Sequence, residues 1–159
     1  MIPSAKQEQV KEFWERLEDC RSGMLSIDGR AVPMSHYIDT NKRELWFLSA
    51  KDTYMAEHAD GTEARYMVCN DDEGLYADIS GRLTPETNPQ KVDEYWNFVA
   101  ASWYEDGKRD PDLQLLKLSL KDGEIWTAKG GAGFMFQVAK ANVTGEKPDI
   151  GDHYEIHFG

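Results

Sequence analysis

The sequence predicts a mainly β domain with added helices, its strands joined by antiparallel hairpins and closed, or partly closed, into a small barrel. Three observations lead there. Leu75, Ala77, Ile79, Gly81 and Leu83 alternate with Tyr76, Asp78, Ser80 and Arg82, the period-two signature of a strand with one buried face. Asp28-Gly29 and Asp122-Gly123 separate apolar runs, and both residues of such a turn tolerate positive φ. No strand–helix–strand rhythm and no glycine-rich dinucleotide fingerprint appears, which argues against a parallel sheet. A length of 159 residues with 40% hydrophobic side chains fits a single domain spanning 1–159.

The elements follow from local chemistry. Ser4 with Gln7 three residues on fits a capping box, and Val10, Phe13, Trp14 and Leu17 form one apolar stripe, so a helix is expected over 4–20. Gly23 to Ile27 and Ala31 to Ile38 read as a hairpin about Asp28-Gly29. Pro33 inside the second run marks an edge, a bulge, or a place where the backbone faces a ligand. Leu45-Trp46-Phe47-Leu48 has the length and composition of a buried strand. Ser49, Lys51, Asp52 and Thr53 follow, and Asp52 or Thr53 can cap a short helix from Tyr54 to Ala59. Hydroxyls, a cation and a helix N-terminus together suit an anion, although an ordinary capped corner carries the same local signature.

Ala64 to Cys69 is the next strand, and an acidic turn leads into the alternating strand that Thr84-Pro85 ends. Asn88-Pro89 opens a helix over about 89–105, with Val92, Tyr95, Trp96, Val99, Ala100 and Trp103 on one face. Leu113 to Leu120 is an apolar strand, Lys121-Asp122-Gly123 a hairpin turn, and Glu124 to Ala128 the returning strand, which bounds the barrel at about 22–128. Gly130-Gly131-Ala132-Gly133 reads as flexible punctuation, since it lacks the Lys-Ser/Thr of a phosphate loop. In the tail only Tyr154, Ile156 and Phe158 carry a pattern, that of a strand.

Composition narrows the function classes. Eighteen Lys plus Arg against 29 Asp plus Glu give a net charge of −11, which disfavours nucleic acid and anionic membranes but leaves room for one small anionic ligand. Cys20 and Cys69 have no metal-type spacing and read as buried or half-buried free thiols in a reducing, cytoplasmic setting. No apolar stretch approaches membrane-spanning length, and no signal peptide is evident. His153 and His157 would lie about 13 Å apart on one face of a strand, too far to hold one ion, so no metal site is expected. No nucleophile elbow marks a hydrolytic triad, and no catalytic residue can be assigned. Five Trp and seven Tyr exceed what one small barrel hides, which points to a homodimer.

Several segments occur in a telling order: Arg30-Ala-Val-Pro-Met34, Leu45 through Thr53, Gly81-Arg82-Leu83, Trp103-Tyr104 with Gly107 and Asp110 through Leu116, and a late Trp126. Together they resemble the general stress protein branch of the pyridoxamine-phosphate oxidase-like, FMN-binding split-barrel family. The resemblance implies an antiparallel split β-barrel that dimerises and binds FMN, or FAD or another flavin in its place, in two clefts at the interface. It implies that Arg30, Val32, Pro33 and Met34 border the isoalloxazine ring. Phe47, Leu48 and Ser49 would hold the flavin edge and the ribityl chain or phosphate, and Lys51 and Thr53 would approach the phosphate. Tyr76 would line the flavin, and Trp126 would reach it from the other subunit. Where the oxidases carry a basic pair, this chain has Tyr54-Met55, which leaves Lys51 as the phosphate's cation. The oxidases' basic substrate residues are not evident after Trp126. The expected function is therefore a flavin-dependent oxidoreductase of unknown substrate, or a non-catalytic flavin store or sensor, or a member that has lost tight FMN binding, rather than a pyridoxine-phosphate oxidase.

Overall fold

In a computed structural model, which describes residues 1–129, 131–147 and 151–159, the chain forms a mostly antiparallel sheet curled into a half-barrel with helices packed on it. The elements are α1 (Gln7–Asp19), β1 (Ser22–Ile27), β2 (Arg30–Ser35), β3 (Tyr37–Asp39), β4 (Glu44–Ala50), α2 (Tyr54–His58), β5 (Thr62–Asn70) and β6 (Leu75–Glu86). Then come α3 (Pro89–Tyr95), α4 (Phe98–Ala101), a 3-10 turn (Gly107–Arg109), β7 (Leu113–Ala128), α5 (Gly131–Thr144) and β8 (Gly151–His157). Neighbouring strands follow the order β2-β1-β5-β6-β7-β4-β3, and β8 adds to the far end of β7.

The alternation read from the sequence sets the faces. Leu75, Ala77, Ile79 and Leu83 point into the barrel with Leu25, Phe47, Tyr66, Leu116, Leu118 and Ile125, while Asp78 and Arg82 face out. α1 covers this core with Phe13 and Leu17, both fully buried. Arg16 ties the helix down by donating to the carbonyls of Glu73, Gly74 and Ala128 at 2.8, 3.1 and 3.1 Å. A second, smaller core lies on the outer face of β4, where Trp46 packs with Val92, Tyr95 and Leu115. The β1–β2 turn takes positive φ at both Asp28 (50°) and Gly29 (81°), which matches the strands' twist.

Local departures from the sequence reading have physical causes. α1 starts at Gln7, because Ser4 forms a parallel bridge to Glu155 and the first turn is capped by Gln9 accepting from the Lys6 amide at 2.9 Å. Lys121-Asp122-Gly123 is not a turn. β7 is one 16-residue strand, and the extra residue is absorbed as a bulge opposite Ser80/Gly81. Thr84-Pro85 does not stop β6. β5 has ended by Leu83, so Pro85 sits where β6 has only β7 as a neighbour and a missing N–H is tolerated. The expected helix over 89–105 is two short ones, since Asn97 caps α4 by accepting from the Ala100 amide at 2.8 Å. Gly131 opens α5 rather than a flexible linker; Gly130 lies outside the described residues. Cys20 is buried, but Cys69 is exposed on the outer face of β5, and both are free thiols.

The expected strand over 31–38 breaks at His36. That residue is buried, and it joins β2 at one edge of the sheet to β3 at the other. His36 Nε2 donates to the Leu17 carbonyl at 2.9 Å, which fixes the tautomer and leaves Nδ1 to accept from the Tyr66 hydroxyl at 2.5 Å. Gly23 makes room for Tyr66. A Cβ there would lie 2.6 Å from the tyrosine ring and 2.6 Å from the Met67 carbonyl.

Burial lowers the pKa of His36 from its ordinary 6.5, while the backbone hydrogen bond to Leu17 opposes the shift. The unfolded chain therefore binds the proton more readily. The stability His36 contributes is complete above about pH 6.5 and is lost as pH falls below it, at no more than about 1.4 kcal/mol per pH unit. Exposed His157, whose pKa the hydrogen bond to Asp122 raises, acts in the opposite sense, so the comparison must isolate one residue. His36→Gln keeps a donor and an acceptor but cannot titrate. Urea denaturation between pH 7.5 and 5 should show the parent losing more stability on acidification than this variant.

Candidate functional site

Curling brings β2 against β4 without a hydrogen-bonded ladder between them, and a cavity of about 340 Å³ lies along that seam. Its walls come from β2 (Pro33, Met34, Ser35), β4 (Leu48, Ala50), Tyr37 and Thr53. α4 and the residues after it close the outer side with Val99, Ala100, Trp103 and Tyr104. A volume of this size with mostly apolar walls and a few polar groups suits a small organic ligand. Tyr37 is fixed by stacking on Tyr95 at 4.9 Å and by accepting from the Asn97 side-chain amide at 2.8 Å. The Tyr104 hydroxyl donates to the Ser49 carbonyl at 2.7 Å and so pins the segment after α4 onto β4. Burial pushes its pKa up to about 12, so it stays a donor. Val99 and Trp103 remain 61% and 78% exposed at the rim, too much apolar surface to be explained as core.

At one end of the cavity is the strand–helix corner. Thr53 caps α2, accepting from the Ala56 amide at 3.3 Å, while its own hydroxyl donates to the Ala50 carbonyl at 2.7 Å. With that proton engaged, Ser49 Oγ donates to Thr53 Oγ1 at 3.2 Å. Arg30, the first residue of β2, lays its guanidinium over the ring of Tyr54, 4.7 Å from the centroid, and Tyr54 stacks on His58 at 4.0 Å. A cation therefore stands at the first turn of α2, supplied by another strand. With five residues, α2 has too little length for a strong dipole.

The sequence-predicted residues divide into groups. Pro33, Met34, Leu48 and Thr53 line the seam cavity; Arg30 lies over Tyr54 and buried Ser49 bonds Thr53, and neither lines it. Val32 packs against the core, and Phe47 lies wholly inside it, its ring 5.2 Å from that of Tyr66. Lys51 lines a separate cleft on the other side of the corner, with Asn88, Arg109 and Gln114. Tyr76 and Trp126 are paired neighbours on the outer face of β6 and β7. Trp126 stacks on His153 at 4.9 Å with an 8° interplanar angle, and Tyr76 donates to Asp71, which raises the phenol to about 12. β7 borders β4, but it pairs with it only over Leu113–Ser119, and Trp126 lies seven residues farther along the strand, about 23 Å away, so one chain does not bring Trp126 to its own seam. His153 and His157 each pair with a different carboxylate, Glu124 and Asp122, and no group able to hold a metal occurs among the described residues.

Sequence reasoning missed Tyr37, Val99, Trp103 and Tyr104 as cavity residues. Val99 and Trp103 follow the apolar stripe of a buried helix, and only the break at Asn97 turns them out over the seam.

Comparison with known proteins agrees with this architecture. The family model described as pyridoxamine 5'-phosphate oxidase like matches residues 8–149. The crystal structure of a candidate general stress protein 26 from Jannaschia sp. CCS1 is 42% identical, with a TM-score of 0.89 over 96% of this chain and 100% of that one. The general stress FMN/FAD binding protein from the phytopathogen Xanthomonas citri is 33% identical, with a TM-score of 0.72 over 79% of this chain and 93% of its own. A general stress family protein from Xanthomonas campestris pv. campestris is 34% identical, with a TM-score of 0.69 over 80% and 92%. No curated protein matches the sequence.

Met55 is 1% exposed and packs in the main core, so that position faces away from the seam. A lysine there has to bury an unpaired ammonium. Met55→Lys should lose on the order of 3 kcal/mol or more in urea denaturation, without any gain in anion affinity.

Proposed function

The chain belongs to the pyridoxamine 5'-phosphate oxidase-like family, and from that premise we propose that it is a flavin-binding protein of the general stress type, with FMN held at the β2–β4 seam. One observation carries the reading: a mostly apolar-walled cavity of about 340 Å³ that reaches the Thr53 cap of α2, the helix on whose Tyr54 the Arg30 guanidinium lies. Pro33, Met34 and Leu48 supply a flat apolar wall for a tricyclic ring. Arg30 at the first turn of α2 supplies the charge for a phosphate. The residues present thus fit the cofactor. Arg30 takes the role that the sequence gave to Lys51, and this role suits it, because a guanidinium binds phosphate through a planar fork.

We further propose a homodimer in which the partner's sheet completes each site. Trp103 and Val99 at the cavity rim, and Met24, Met67 and Trp126 on the outer sheet face, are large apolar groups left partly in water by one chain. In this arrangement the partner subunit's Trp126 and Tyr76 reach the ring that the first chain holds. A flavin supplies hydride and single-electron transfer; the protein's part is to bind it, orient it and exclude water. We read the protein as an oxidoreductase whose substrate lies on the ring's open face. A flavin store or sensor is the second reading, favoured by the mostly apolar walls of the seam cavity.

Purified protein should show absorption bands near about 370 and 450 nm, and turnover with a reduced nicotinamide would separate enzyme from store. Arg30→Ala should weaken FMN by about ten- to a hundred-fold while changing riboflavin, which lacks the phosphate, much less. Lys51→Ala should leave both nearly unchanged, and the reverse ranking would return the phosphate to Lys51. Sedimentation should give a dimer at micromolar concentration, and a monomer would remove the partner's Trp126 from the site.

A further inference from the structure

We propose that the cleft on the Lys51 side of the corner is a second binding site, for a small organic anion: an apolar or heteroaromatic ring carrying a phosphate, sulfonate or carboxylate. The cleft, about 250 Å³, lies between the start of α3, the Gly107–Arg109 turn and the start of β7. Val92, Leu113 and Leu115 give it apolar walls. Three cations line it, Lys51, Lys108 and Arg109, in a chain whose net charge is −11.

The arrangement of counter-ions separates this cleft from an ordinary solvated surface. Two carboxylates also line it, and both are already engaged. Glu86 is held by Lys117 at 3.1 Å and by the Thr84 hydroxyl at 3.0 Å. Asp110 accepts the backbone amides of Asp106 and Asp112 at 3.1 and 2.9 Å, one on each oxygen. Backbone amides do not offset the charge of Asp110, so with Glu86 on Lys117 the three lining cations face Asp93 and Asp110, one cation in excess. Arg109 and Lys108 share the single carboxylate of Asp93, at 3.1 and 3.9 Å, and Lys51 has no carboxylate partner among the described residues. Among the described residues Asn88 uses only its carbonyl oxygen, accepting from the Lys91 amide at 3.1 Å, which leaves its amide hydrogens for another acceptor. A ligand with one anionic group and an apolar body supplies the missing counter-charge and covers Val92, Leu113 and Leu115 at once.

The site does not depend on flavin at the seam. The two cavities do adjoin: Ala50 and Thr53 line one and Lys51, between them, lines the other.

The amphipathic anion 8-anilinonaphthalene-1-sulfonate is a suitable probe, followed by fluorescence titration of the full chain at low salt. Lys108→Glu combined with Arg109→Glu should weaken the dye by about tenfold or more. The control pair Lys11→Glu with Lys121→Glu makes the same charge change at sites 80% and 61% exposed elsewhere, and should leave affinity unchanged. Chemical-shift mapping on the unsubstituted protein should move the amides of Thr87, Asn88, Arg109 and Gln114, whether or not the double variant folds. Equal weakening in the control pair, no binding of the dye by the parent, or shifts confined to Met34, Leu48 and Val99 would each overturn the proposal.

Discussion

Ser35 and Tyr37 belong to opposite edges of the sheet, and only His36 lies between them. Two residues of chain span about 7 Å at most. The seven-strand path from β2 to β3 is thus compelled to curl until its two ends nearly meet, and the rest of the architecture follows from that. The residue at the joint cannot be a loose surface link, because the barrel interior lies directly beneath it. His36 is therefore buried, and burial obliges it to satisfy both ring nitrogens, which it does with Leu17 of α1 and Tyr66 of β5. One side chain thereby fastens the sheet's closure to the helix that caps the core and to a central strand.

A sheet closed by chain continuity, rather than by a ladder, leaves a seam. Beside His36, Pro33 and Ser35 of β2 face Leu48 and Ala50 of β4 across open space, and the cavity occupies it. Pro33 is suited to an edge that pairs on one side only, with Met24 of β1. Polar groups gather at the end of the seam because β4 stops there: the carbonyl of Ala50 turns to Thr53, and the amide of Lys51 goes to Asp112. Site and fold thus have one origin, the place where the barrel is bent shut without being hydrogen-bonded shut.

Much of this could be read from the sequence, and the gaps have a common cause. The alternation over Leu75–Leu83, the Asp28-Gly29 turn and the Thr53 cap are local signals, and each appears where expected. Pro33, Met34, Leu48 and Thr53, named from separate segments, line one cavity. What escaped is what depends on neighbours distant in sequence. Asp122-Gly123 has the composition of a turn, but one partner, β6, pairs on both sides of it, and that pairing makes it a bulge. Lys51 and Thr53 are two residues apart and read as one site; the end of β4 sends them to different cavities. Arg30's position over Tyr54 has no local sequence signal at all, since 24 residues separate strand from helix.

The strand order also has a consequence for how the chain reaches this state. β4 is made early, but one of its ladder partners is β7, about seventy residues later: Leu45 pairs with Leu118 and Phe47 with Leu116. β1 likewise waits for β5. Such non-local pairing slows folding. Until β7 arrives, the run Leu45-Trp46-Phe47-Leu48 has one open edge, with no proline and no charge of its own. It is the segment of this chain best suited to pair with the wrong neighbour. Glu44 before it and Lys51-Asp52 just after it act as charged guards on that edge during the interval, whatever else they do in the finished protein.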